Sequence, residues 1–175
     1  MTPAAAPAPA LVRLFVGHVG TPVWLDDLIG PVDPARLGLD ALLAADLLRW
    51  EADWHDSRDA HLRWTAATPE AEHRHRGVAL AERLAAALGR AAVVEVDEPG
   101  GSATRRVHVD APPRQPAAAE TFGALVRAAR AEEERVRAAV AAAGPGARSR
   151  VVAPVSGVEF RRPAAGPEPD APDLS

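Results

Sequence analysis

The sequence predicts an α+β fold: two β-hairpins flank two amphipathic helices in the order β-β-α-α-β-β, the sheet carries its helices on one face, and a C-terminal helix is appended. Three observations carry this expectation. β-branched and aromatic residues fill the run LVRLFVGHV at Leu11–Val19. Apolar residues then recur at helical spacing through two separate segments, 39–54 and 78–88. Finally, Val107 and Val109 alternate with Arg106, His108 and Asp110, the period of a half-buried strand.

Each element follows in order. Gly20-Thr21-Pro22 breaks the first strand and Val23-Trp24-Leu25 resumes an extended pattern, which predicts a hairpin. Asp26 to Asp40, with Gly30, Pro31 and Pro34, reads as a structured loop. Leu39, Leu43, Leu47, Trp50 and Trp54 form one helical stripe, capped by Asp40 and expected to run to about Asp59. Thr68-Pro69-Glu70 supplies an N-cap, a proline at the first helical position and an acid in the first turn. Val78, Ala81, Leu84, Ala85 and Leu88 make the apolar face, and Gly89 reads as a left-handed C′ residue. Ala91–Asp97 and Thr104–Asp110 form the second hairpin through Pro99-Gly100-Gly101. A sheet must bury one face against something, and the two helices provide that layer.

Domain organisation is expected as a disordered segment 1–10, a compact α+β domain 11–110, an Ala/Arg/Glu-rich helix 116–143 and a largely disordered Pro/Ala/Gly-rich tail 144–175. The 116–143 helix has a thin stripe of Phe122, Val126, Ala129, Val136 and Val140, with Glu133 in its middle. That pattern leaves open whether it docks on the domain, meets a partner or stands in solvent.

Composition narrows the chemistry. The chain has no cysteine, so a disulfide framework, a thiolate nucleophile and Cys-ligated zinc are excluded. All 20 basic residues are arginine, which excludes a P-loop lysine or a Schiff base. A net charge of -4 with dispersed arginines argues against nucleic acid. The longest apolar run falls well short of the ~20 residues that span a bilayer. Prolines at 3, 7 and 9 would interrupt a signal sequence, so a cytoplasmic location is expected.

Several patterns sit together between Leu14 and Val96: Val23-Trp24-Leu25-Asp26, Pro31-Val32-Asp33, Leu39…Leu43…Leu47…Trp50, Gly77…Leu84…Leu88-Gly89 and Val94-Glu95-Val96. On these residues the stretch resembles a family of small uncharacterised proteins from high-GC Gram-positive bacteria. Its members carry no assigned activity. The resemblance supports the domain boundary and implies nothing about reaction or ligand.

No catalytic motif stands out. Asp26-Asp27 could hold a hard cation or work as acid and base, but neighbours on a strand point opposite ways. His73 and His75 lie about 200° apart on a continuous helix, at ~100° per residue, and cannot share a metal. Glu51 and His55 at i,i+4 could chelate a metal, but a carboxylate–imidazolium surface pair is the commoner reading of that spacing. His18, at the end of the first strand, is expected to be exposed. Trp50 and Trp54 take core positions by periodicity, whereas Trp24 and Trp64 lie at element ends, where an exposed indole suits a partner. The binding residues singled out are therefore Trp24, Asp26, Trp54, His61 and Trp64; no catalytic residue, metal ligand or cofactor is assigned. The leading reading is a small non-enzymatic protein-binding or regulatory module. The alternatives are a metal-dependent hydrolase using Asp26, Asp27 and a histidine, or self-association through the 116–143 helix.

Overall fold

Alternation in ALVRL puts Ala10, Val12 and Leu14 on the buried side of β1 (Ala10–Leu14) and leaves Arg13 exposed. The computed structural model describes residues 8–16, 20–25, 31–61, 63–65, 70–98, 103–143, 151–152 and 159–160. β1 pairs antiparallel with β2 (Val23–Leu25), and β3 (Ala92–Asp97) pairs antiparallel with β4 (Thr104–His108), so both expected hairpins form. They join through parallel pairing of β1 with β3, giving the order β2-β1-β3-β4. This non-local pairing makes one α+β sheet of the two hairpins. The loops that carry His18, Asp26, Thr68-Pro69 and Pro99-Gly100-Gly101 lie outside the described residues.

Two helices cover one sheet face. α1 spans Ala41–Asp56, with the Asp40 carboxylate accepting from Leu43 N–H at 2.8 Å. It stops three residues before the expected Asp59. Ser57 caps it, and the Ser57 carbonyl accepts from Thr65 N–H at 2.8 Å, which turns the chain back on itself. α2 spans Glu70–Leu88 and buries Leu80, Ala81, Leu84, Ala85 and Leu88. Gly89 adopts φ 62°, and a Cβ there would lie 2.7 Å from the Ala111 carbonyl oxygen. Glycine is thus required at this position by conformation and by space.

Gly77 answers a different demand. A Cβ on it would sit 2.6 Å from Cζ2 of Trp50, so its absence lets the indole enter the seam between α1 and α2. Ion pairs flank the same seam: Arg76–Asp53 and Arg83–Asp46, each at 2.7 Å. The opposite sheet face carries a cross-strand row in which Glu95 is held by Arg13 at 3.2 Å and Arg106 at 2.9 Å. Trp24 extends the row across β2 beside Arg13.

α3 (Pro116–Ala143) divides its duties. Ala118, Phe122 and Val126 are buried in the core, and the Asp40 amide donates to Gln115 Oε1 at 2.8 Å just before the helix begins. Further along, Val136 and Val140 are exposed. The chain forms two compact units, Met1–Glu132 and Glu133–Ser175. The first contains the sheet, α1, α2 and the docked part of α3. The second contains the remainder of α3 and a short antiparallel pair, β5 (Val151–Val152) with β6 (Glu159–Phe160).

Candidate functional site: a tryptophan-lined cleft

The carboxyl ends of β1 and β3 lie side by side because the strands are parallel, and a cleft of about 330 Å³ opens beyond them. Leu14, Phe15, Val16, Val96 and Asp97 line its strand side. From the helices and the loop after α1 come Trp50, Trp54, Arg58, Trp64, Glu70, His73 and Arg74.

The floor is a locked pair. Trp50 and His73 stack with ring centroids 5.1 Å apart and planes inclined by 14°. The Trp50 indole N–H donates to the His73 carbonyl at 2.9 Å, and His73 Nε2–H donates to the Trp50 carbonyl at 2.9 Å. The carbonyl acceptor fixes the proton on Nε2. Burial pushes His73 below its ordinary pKa of 6.5. Arg76 and Arg58 act the same way, against the Trp50 carbonyl and Asp53. The floor therefore presents a neutral imidazole.

Arg58 builds the wall. Its guanidinium carbon lies 4.6 Å from the Trp54 ring centroid and 5.3 Å from that of Trp64. Trp64 in turn tilts against His73 at 5.3 Å. Glu70 accepts from Arg74 at 2.9 Å and faces Arg58 at 3.7 Å. Asp59 fixes the loop that carries Arg58 and Trp64. Its carboxylate accepts from the Arg63 amide at 2.9 Å, the Arg63 Nε–H at 2.9 Å and the His61 amide at 2.8 Å. The Arg63 amide bond leads in holding Asp59 below its usual 3.8, against the cost of desolvation.

A family profile described as Serratia CdiI immunity protein-like matches residues 11–98, half of the chain. The chain belongs to this family. No curated protein and no solved structure matches the chain. The CdiI-like region runs from β1 to the end of β3 and encloses the Leu14–Val96 stretch of the sequence resemblance. Every residue lining the cleft, from Leu14 to Asp97, falls inside it.

Within this CdiI-like region the singled-out residues separate. Trp54 and Trp64 line the cleft together. Trp54 is half-buried rather than in the core: α1 ends two residues later, and the Trp54 ring meets the Arg58 guanidinium. Trp24 stands apart from the lining and reaches the cleft through Phe15, edge to face at 6.1 Å. Its indole N–H is buried without a partner among the described residues. The His61 amide bonds Asp59 and the residue is exposed in the loop. Asp26 lies outside the described residues. Glu51 is buried while bonding His55 at 3.3 Å, so this pair is not the surface pair its spacing implied.

Two residues of the cleft were missed. His73 is 2% exposed and continues the α2 stripe through Gly77, Leu80 and Leu84. That four-three-four spacing was the available signal. Arg58 gave no local signal; its place depends on how the loop folds back. Among the described residues, no group of three or more His, Cys, Asp or Glu could hold a metal, and no helix is long and apolar enough to cross a membrane.

Proposed function

We propose that this chain is an immunity protein, a cytoplasmic, non-enzymatic module that neutralises a toxin by binding it. Membership of the CdiI-like immunity family over residues 11–98 carries this reading. The composition of the cleft supports it. Tryptophan and arginine are the residues that dominate binding energy at protein interfaces, and Trp54, Trp64, Arg58 and Arg74 converge here beside the exposed Phe15. Aromatic side chains on a clamped loop lose little freedom when a partner docks.

The test is protection. Candidate toxin domains from the source genome, each chosen because its expression alone arrests growth, are expressed with and without this chain. Relief of arrest by one of them, with a stoichiometric complex on gel filtration, is the expected result. Failure of every such domain both to bind and to be relieved would refute the proposal. Trp64→Ala is expected to weaken the complex at least tenfold, the size of a central hot-spot loss of roughly 1.4 kcal/mol or more.

A further inference from the structure

We propose that the cleft is also a small-molecule site, and that its ligand is a planar aromatic carboxylate of one or two fused rings. This goes beyond the immunity reading and does not depend on it. Three observations bear on the class of ligand.

The first is position. The cleft opens beyond the adjacent carboxyl ends of the parallel pair β1 and β3, where residues of both strands and of both helices meet. The second is size and surface. A cleft of about 330 Å³ suits a ligand at the small end of the usual ~300–1,000 Å³ range. Trp50 and His73 are nearly fully buried beneath the cleft, so the aromatic surface open to an occupant is that of the half-buried Trp54 and Trp64, with Phe15 beside them. A flat ring matches that lining better than a branched aliphatic group.

The third is polarity. The helix side of the cleft holds two guanidinium groups and one carboxylate: Arg58, Arg74 and Glu70. Arg74 uses Nε and Nη2 on a single oxygen of Glu70, at 3.3 and 2.9 Å. Among the described residues its Nη1 meets no acceptor, and guanidinium binds carboxylate in a fixed planar geometry. Asp97 stands on the strand side as an acceptor for a ring N–H. A cation would meet Arg58 and Arg74 with Glu70 already engaged, leaving the exposed Asp97 as its counter-charge among the lining residues. A neutral ring would leave the Arg74 donors unused.

Indole-3-carboxylate carries the ring, the carboxylate and the N–H, with indole and tryptamine as its neutral and cationic counterparts. The full chain is titrated with each by calorimetry, while the indole N–H resonances of its four tryptophans are followed by nitrogen-15 NMR. Saturable binding of indole-3-carboxylate is expected, with shifts at Trp54 and Trp64 and weaker binding of indole. Arg74→Gln should lower affinity for indole-3-carboxylate about tenfold and leave indole within about twofold, as a charge-assisted contact requires. Circular dichroism confirms that the variant is folded. Trp64→Ala should weaken both. The proposal is overturned if indole-3-carboxylate shows no saturable binding at millimolar concentration, if tryptamine binds at least as tightly, or if Arg74→Gln keeps full affinity.

Discussion

Gly77→Ala sets two effects of opposite sign against each other. Alanine is favoured over glycine inside a helix by about 1 kcal/mol, part of it through the unfolded chain. Against this, the new Cβ would meet Trp50 at 2.6 Å from Cζ2, 3.1 Å from Cε2 and 3.4 Å from Nε1. The indole cannot yield freely, because its N–H is held by the His73 carbonyl and its face lies on the His73 ring. Overpacking of this kind costs about 1–3 kcal/mol, and a lost bond from a buried N–H adds about 1–3 more. The net expectation is a loss of roughly 1–5 kcal/mol, which lowers the unfolding midpoint by about 4–20 °C for a unit of this size. Thermal unfolding measures it. A double-mutant cycle with Trp50→Phe sharpens the result, since the smaller ring lacks the atoms that collide. The penalty of Gly77→Ala should shrink by at least about 1 kcal/mol in that background. A midpoint unchanged or raised by Gly77→Ala, or a penalty that Trp50→Phe leaves undiminished, would refute the close approach of α1 and α2.

Other outcomes follow from the same contacts. Phe122→Ala should cost about 3–5 kcal/mol, whereas Val136→Ala on the same helix should stay within about 0.5 kcal/mol; urea unfolding compares them. His73 is neutral in the fold with its pKa lowered from 6.5. The stability it contributes is complete above pH 6.5 and is lost as pH falls from there through the lower folded value. The unfolding midpoint should therefore drop between pH 7.5 and 5.5, and His73→Gln should flatten that part of the profile. Asp59 is shifted down from 3.8, so its clamp persists above that pH and is lost as pH falls through the lower folded value. Asp59→Ala should free the loop at neutral pH, seen as a change in the Trp64 indole N–H resonance with little change in far-ultraviolet circular dichroism.

Local periodicity made most of the fold legible. The stripes of α1 and α2, the Asp40 cap and the glycine after Leu88 are all set by neighbours within a few residues, which is why they could be read. The parallel pairing of β1 with β3 could not, since it joins residues some eighty positions apart whose alternation fits several partners. In α3 the answer was present in outline: Phe122, Val126 and Ala129 dock, and the helix is exposed from Ala131 to Ala142, the stretch in which Glu133 breaks the apolar stripe. The cleft was half legible. An element-end position pointed to Trp64, whereas periodicity gave Trp54 a core place; Arg58 reaches both only because Ser57 and Thr65 close the loop. His73 was concealed by its charged neighbours in EHRH, although its helical phase belongs to the core.

All four tryptophans fall between residues 24 and 64, and three of them line one cleft. Intrinsic fluorescence of this protein is accordingly a local signal from the cleft and from β2. The 28-residue α3 contains no indole, so its release from the core would be silent in emission and large in helical circular dichroism. Unfolding curves recorded by the two methods need not coincide. Any gap between them reports how tightly the docking of Phe122 and Val126 is coupled to the rest of the fold.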